Sequence, residues 1–340
     1  MKLGILTSGG DCPGLNAAIR AVVKTAVERY NYECVGIKNG WEGLYTGDII
    51  PLPPRSVSGI LPRGGTILGT ARFNPLKDKP TTARVLENLA LHCIDALIVI
   101  GGDGTLSAAH EMAGIGVKVV GVPKTIDNDI AATDATFGYH TAVQTVTNAI
   151  DNLHATAESH HRVMVIETMG RKNGWIAVQG GIAGGADMIL IPEKPFSWEA
   201  IATQLKHRHE VKKFSIIVVA EGAMPEGGQA VDIGEFDSFG RPRLGGIGYV
   251  VANKIEDMTG IETRVTILGH VQRGGTPVAQ DRLLATHFGV GAVEAAAEGK
   301  WDHFIALQGN KFIPVPIIDG IGKTKEVDDR TYMIAETFFG

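Results

Sequence analysis

An apolar run, Ala96-Leu97-Ile98-Val99-Ile100, stops at Gly101-Gly102-Asp103-Gly104-Thr105. A second, Val117-Lys118-Val119-Val120-Gly121-Val122, stops at Pro123-Lys124-Thr125-Ile126-Asp127-Asn128-Asp129. Each reads as a buried strand followed by a loop that carries carboxylates, and the first loop adds glycines. Glycines let backbone N–H groups close on a phosphate, and a nearby aspartate can hold Mg²⁺. Ser8-Gly9-Gly10-Asp11, following Leu3-Gly4-Ile5-Leu6-Thr7, supplies a further glycine-rich loop. In an open α/β sheet such loops gather at the carboxyl edge of the strands, where ligands bind. The combination reads as phosphoryl transfer.

Asp127 and Asp129, at i and i+2, can divide the work. One accepts a proton from an attacking hydroxyl while the other orders metal or phosphate. The bland alternatives are an Asx-turn cluster and, for Gly-Gly-Asp-Gly, a tight turn whose aspartate caps a helix. Arg72, Arg162, Arg171, Arg264 and Arg273 fall in or beside strand-end loops, where guanidinium groups bind phosphate in bidentate fashion. Cys12 lies in a ligand loop, and small-residue filler suits it better than a nucleophile. His160, His161 and His270 lack companions at metal-ligand spacing, so no zinc site is expected.

These loops need a scaffold. Strands and helical stretches alternate throughout, the pattern of a mostly parallel sheet covered by helices. The stripe Ile19, Val22, Val23, Val27 predicts a helix from about Asn16 through Arg29, and another is expected from about Thr81 to Leu91. An echo of the opening units follows in Val163–Gly170, Ser215–Gly222 and Arg264–His270. It predicts two Rossmann-like α/β lobes of related topology, with the site in a cleft between their loop edges. Residues 1–138 plus 273–303 are expected to form the phosphoryl-donor lobe. Residues 139–272 plus 304–340 are expected to form the other, with a surface insertion at about 223–246 that is rich in Gly, Pro and charge.

A chain of 340 residues, 44% hydrophobic and 20% charged, accommodates this plan. A formal charge of -5 gives no reason to expect nucleic acid or an anionic membrane as partner. Its 3 cysteines form no disulfide framework, as in a reducing compartment. The N-terminus enters a strand without a signal-peptide pattern, and no apolar run reaches the roughly 18 residues of a membrane span, so a cytoplasmic location is expected.

Taken in order, Ile5–Asp11, Arg63-Gly64-Gly65-Thr66, Gly101–Thr105, Thr125–Asp129, Met169-Gly170-Arg171 and Leu268-Gly269-His270-Val271-Gln272-Arg273-Gly274-Gly275 make the chain resemble the 6-phosphofructokinase family, bacterial type, over nearly its whole length. The resemblance implies transfer of a phosphoryl group to the 1-hydroxyl of fructose 6-phosphate in the glycolytic reaction. It makes Asp127 the proton acceptor, with Arg171 as its catalytic companion, and Asp103 the Mg²⁺ ligand. Gly10, Arg72, Phe73, Gly102, Asp103, Gly104 and Thr105 correspond to the nucleotide site. Thr125, Ile126, Asp127, Met169, Gly170, Arg171 and Glu221 correspond to the sugar-phosphate site. So do Arg162, Arg264, His270, Val271, Gln272 and Arg273. In the family Arg162 and Arg264 reach across from a neighbouring subunit, which implies a homo-oligomer, a tetramer or a dimer.

The donor signature is mixed. Gly104 leaves the space that the family's ATP-users need for the α-phosphate, where pyrophosphate-users carry Asp; Lys124 matches the pyrophosphate-users instead of the ATP-users' glycine. A blocked α-phosphate site cannot be relieved elsewhere, whereas an added cation beside phosphates is tolerable. ATP is therefore expected, with pyrophosphate as the alternative. The family's basic effector pocket is matched at Arg20, but Lys24 and His154 replace arginines and Asp187 a glutamate, so an effector response is not expected. NAD and lipid kinases share Gly-Gly-Asp-Gly but lack the Asp127/Asp129 string and Met169-Gly170-Arg171. A binding regulator without turnover has no need of an intact Asp103, Asp127 and Arg171.

Overall fold

The computed structural model describes residues 1–236 and 242–339. The chain divides into two compact units, Met1–Thr141 with Arg273–Thr324, and Ala142–Gln272 with Lys325–Gly340. Elements are numbered along the whole chain.

The first unit holds strands β1 (Lys2–Thr7), β2 (Glu33–Ile37), β3 (Ile49–Pro51), β4 (Ala96–Gly101), β5 (Val119–Thr125), β6 (Phe137–Gly138), β13 (His303–Gln308) and β14 (Lys311–Pro316). They form a sheet of order β14-β13-β5-β4-β1-β2-β3, with β6 paired to the end of β5. β2, β1, β4, β5 and β13 run parallel; β3 and β14 are antiparallel at the edges. The chain moves outward from β1 through β2, then returns to place β4 on the other side of β1. The strand order reverses there, so the loops after β1 and β4 part at a switch point. Leu97, Ile98, Val99 and Ile100 are fully buried, as a central strand covered on both faces requires.

Helices α1 (Leu15–Tyr30), α2 (Trp41–Thr46), α3 (Lys79–Leu91), α4 (Asp103–Gly114), α9 (Ala279–Ala297) and α10 (Ile317–Gly320) complete this unit. α1 buries Ile19, Val22, Val23 and Ala26 and ends at Asn31, whose left-handed backbone returns its N–H to Val27. At Gly289 of α9 even a methyl group would stand 2.8 Å from the Ala18 carbonyl of α1, so these helices pack at backbone distance. α3 begins two residues earlier than the expected Thr81: Asp78 accepts the Thr81 N–H at 2.8 Å, and Pro80 opens the first turn.

Two expectations fail here. β5 starts at Val119 and runs through Pro123 to Thr125, where the proline was expected to stop it. β13 pairs with β5 only at Val120 and Gly121, and β6 pairs at Lys124 and Thr125, so Pro123 falls in the gap on that side. There its missing N–H costs no ladder bond. Residues 304–324, assigned to the second lobe, belong to the first unit, because β13 adds parallel to β5 and β14 folds back on β13.

The second unit has β7 (Val163–Thr168), β8 (Met188–Leu190), β9 (Ser215–Ala220), β12 (Thr263–Ile267) and the β10 (Asp232–Phe236) and β11 (Pro242–Leu244) pair. Its helices are α6 (Trp175–Gly184), α7 (Trp198–Val211), α8 (Ile247–Thr259) and α11 (Asp329–Glu336), while α5 (Tyr139–His160) carries the chain from the first unit into the second. The main sheet is parallel, in order β12-β7-β9-β8. Val165, Leu190, Ile217, Val219, Val251 and Ile255 lie in its core. The echo places strands correctly but not their neighbours: β12 pairs with β7, whereas β5, its expected counterpart, pairs with β4 and not β1. Apolar runs specify that a strand forms; which strand lies beside it depends on the crossovers. The expected insertion holds β10 and β11, antiparallel, and its residues 237–241 lie outside the described residues.

Candidate active site

β1, β4 and β5 are neighbours, so the loops at 8–11, 102–105 and 124–129 leave the first sheet side by side. The first is laced to residues 69–71. Thr70 donates to the Gly9 carbonyl at 2.6 Å, the Ser8 hydroxyl to Ala71 at 3.1 Å, and Thr7 to Gly69 at 2.8 Å. That lacing brings Arg72, the next residue, beside the glycine-rich loop. Arg273 lies across Gly10: a Cβ there would stand 2.6 Å from Nη1, which donates to the Asp11 carbonyl at 3.2 Å.

The second loop is a short entry to α4. Gly102 is its N-cap, Thr105 and Leu106 donate to the Gly102 carbonyl, and the Asp103 carboxylate accepts the Gly322 N–H at 2.8 Å. Free N–H groups of a first helical turn favour an anion. A side chain at Gly101 would collide with Thr105, whereas a Cβ at Gly104 meets nothing within 4 Å. Phe73 packs against the core and its ring lies 5.3 Å from that of Tyr45.

The third loop concentrates charge. Asp127 Oδ1 and Asp129 Oδ1 are buried with no hydrogen-bond partner among the described residues. Burial, then the charge of Asp127, pushes the Asp129 carboxyl up to about 6, with Asp103 contributing in the same direction. Orphaned carboxylate oxygens that repel one another suit a divalent cation. Mg²⁺ takes one or two carboxylates and completes its shell with phosphate oxygens and water, so one or two of these aspartates would suffice to hold it; among the described residues no group of three or more His, Cys, Asp or Glu is placed to hold a metal by itself. Lys124 is 4% exposed, and its ammonium donates to the Gly10 carbonyl. Burial holds it below the ordinary lysine range. Cys12 is sealed under the same loop, donating to the Phe137 carbonyl at 3.6 Å, and burial pushes its thiol up to about 12. Such a thiol is not a nucleophile.

In the second unit, β7 and β9 are adjacent, and their ends meet in a second cradle. Glu221 accepts the N–H groups of Gly170, at 3.3 Å, and Arg171, at 2.8 Å. Gly170, at φ 144, leaves no room for a side chain against the Asn173 carbonyl, and Arg171 itself is left-handed at φ 54. Gln272, 0% exposed, accepts the Met169 N–H at 3.3 Å and donates to the Gly269 carbonyl at 3.1 Å. Arg162 and Arg264 share Glu262, whose carboxyl the Arg162 hydrogen bond holds below the usual glutamate range. Asp187 is engaged by Arg208 at 2.6 Å and by the Ile216 N–H at 2.8 Å.

Within the first unit, then, the structure gathers Gly10, Gly102, Asp103, Gly104, Thr105, Lys124, Thr125, Asp127 and Arg273; within the second, Met169, Gly170, Arg171, Glu221 and Gln272. Arg273 lies on the glycine-rich loop. Ile126 is 0% exposed, so only its backbone can face a ligand, and Gln272 spends its amide on the protein. Val271 is 62% exposed. The residue types missed by motif reading are braces. One is Thr70. Another is Asp281, fully buried, which accepts the Thr141 N–H at 2.7 Å at the start of α5. An aspartate in the first turn of α9 was the available signal.

Residues 2–296 match the family described as PFK, phosphofructokinase. The chain is 51% identical to a pyrophosphate–fructose 6-phosphate 1-phosphotransferase of Amycolatopsis methanolica, over 100% of both chains. It is 48% identical to an ATP-dependent 6-phosphofructokinase of Corynebacterium efficiens, over 100% of this chain and 99% of the relative. A solved phosphofructokinase of Pichia pastoris in the T-state superposes with a TM-score of 0.84 at 33% identity, covering 99% of this chain and 36% of that much longer one.

Proposed function

This chain belongs to the phosphofructokinase family, and we propose that it transfers the γ-phosphoryl of MgATP to the 1-hydroxyl of D-fructose 6-phosphate, giving fructose 1,6-bisphosphate and ADP. The observation that carries this is the Asp127–Asp129 pair, each with one buried, unpartnered Oδ1, beside the Gly102–Asp103 turn. Asp127 accepts the proton of the attacking hydroxyl, and its Oδ1 is free to do so because the protein makes no demand on it. Gly10, Arg72, Phe73, Gly102, Gly104 and Thr105 hold the nucleotide. Asp103 would hold Mg²⁺, which would neutralise charge on the donor's phosphates. Thr125, Met169, Gly170, Arg171 and Glu221 hold the sugar phosphate, and Arg171 also offsets charge on the migrating group. His270 and Arg273 supply further contacts. Arg162 and Arg264 serve the site of a neighbouring subunit, in a homo-oligomer that we take to be a tetramer.

Two features support ATP. Gly104 opens onto space that an α-phosphate needs, and the Lys124 ammonium is already committed to the Gly10 carbonyl. A second reading, pyrophosphate as donor, is favoured by the presence of Lys124 and by the 51% identity to a pyrophosphate-dependent relative. A donor comparison separates them: kcat/KM with MgATP is expected to exceed that with pyrophosphate, and the reverse order overturns the ATP reading. Gly104→Asp, which puts a carboxylate into the open space, is expected to abolish ATP use.

A further inference from the structure

The turn that carries the two aspartates is held by Thr136, a residue outside every motif. Asn128, between them, sits at φ 53, a left-handed conformation that asparagine tolerates better than most side chains. Its Oδ1 accepts the Thr136 N–H at 3.1 Å. The Thr136 hydroxyl in turn donates to the Thr125 carbonyl at 2.8 Å, and the Thr125 hydroxyl accepts the Asp127 N–H at 3.0 Å. Thr136 is 0% exposed. Immediately after it, β6 pairs Phe137 with Lys124 and Gly138 with Thr125. At Gly138, φ 97, a Cβ would stand 2.6 Å from Cys12 Sγ, so this strap is pressed against the floor of the glycine-rich loop. One buried residue therefore pins the turn at both ends, at Thr125 and at Asn128.

We propose that Thr136 is a positioning residue for phosphoryl transfer: its hydroxyl and N–H fix the Thr125–Asp129 turn so that the Asp127 carboxylate meets the attacking hydroxyl. It acts through the Thr125 carbonyl and the Asn128 side chain. Displacing a reacting group by about 1 Å can cost about 10²-fold in rate, so a loosened turn reads out in kcat. The inference rests on Asp127 being the proton acceptor.

The test compares purified Thr136→Val, which keeps the shape but loses the donor, with Thr136→Ser, which keeps the donor. Both are assayed with fructose 6-phosphate and whichever donor the wild type uses better, and their thermal midpoints are recorded. Thr136→Val is expected to lose about 10- to 100-fold in kcat with KM for fructose 6-phosphate within about twofold, and Thr136→Ser to restore kcat. In an Asp127→Ser background Thr136→Val is expected to cost little more, since both act on one step. A Thr136→Val kcat within twofold of wild type, parallel rises in KM, or no rescue by serine overturns the inference. Should Thr136→Val not fold, Asn128→Gly replaces it: it keeps the left-handed backbone and removes the Oδ1 acceptor, and an undiminished kcat overturns the inference there too. An unimpaired Asp127→Ser sinks the assignment of the base and this inference with it; an inactive Asp127→Ser beside an unimpaired Thr136→Val sinks this inference alone.

Discussion

The loop edges of the two sheets are made from opposite materials. At the end of β4 and β5, glycines and a helix N-terminus leave backbone N–H groups open, and Asp127 and Asp129 each keep one buried carboxylate oxygen without a partner among the described residues. At the end of β7 and β9, the backbone N–H groups of Gly170 and Arg171 are already taken by Glu221, whereas Arg162, just before β7, and Arg264, near the start of β12, pair with Glu262 at the opposite edge of that sheet. The first edge keeps unpartnered polar atoms among the described residues. The second is internally satisfied, and what it offers is a shaped loop that carries Arg171. Desolvated, unpaired groups suit chemistry, whereas a loop whose backbone is already hydrogen-bonded suits a fixed shape.

The contrast can be broken by substitution. Asp127→Ser, on the first edge, is expected to remove about 10²- to 10⁴-fold of kcat while leaving fructose 6-phosphate affinity nearly intact. An unchanged kcat would remove Asp127 from the reaction. Glu221→Ala, on the second edge, frees two backbone N–H groups from a charged acceptor, a change worth roughly 1.5–3 kcal/mol when the acceptor is a carboxylate. It is expected to raise KM for fructose 6-phosphate by about 10- to 100-fold with a smaller change in kcat; a loss confined to kcat would show that the two edges do not divide the work this way. The smallest effect concerns thiols. Burial puts the Cys12 and Cys34 thiols at about 12, so their thiolate fraction at pH 8 is on the order of 10⁻⁴, while Cys93 is exposed. A colorimetric thiol titration is expected to find one fast group in the folded protein and three after denaturation, with the slow pair gaining reactivity only toward strongly alkaline pH. Rapid modification of Cys12 at pH 8 would mean that the first edge is wetter than its burial implies.

The strands of both edges were legible because each is an apolar run closed by glycine or carboxylate, and burial in a parallel sheet demands that composition. What escaped was relational. Whether Pro123 ends a strand depends on where β13 and β6 leave a gap, and the pairing of β12 with β7 depends on how crossovers pass over the sheet; neither is a property of the residues themselves. The paired aspartates, Asp127 and Asp129, announced themselves by type and spacing. Ile126 and Gln272 sit inside motif strings yet turn into the protein, and Thr136 sits outside them yet holds the turn. A motif marks a stretch of chain that must stay near a ligand, without telling which side chains in it face outward.

The position of Lys124 has a practical consequence. Acylating reagents need an amine in contact with water, and this one is shut beneath Gly10. Its modification must wait until the segment above it lifts, so the labelling rate at Lys124, read by mass spectrometry against the surface lysines, is a clock for how often that stretch of chain breathes.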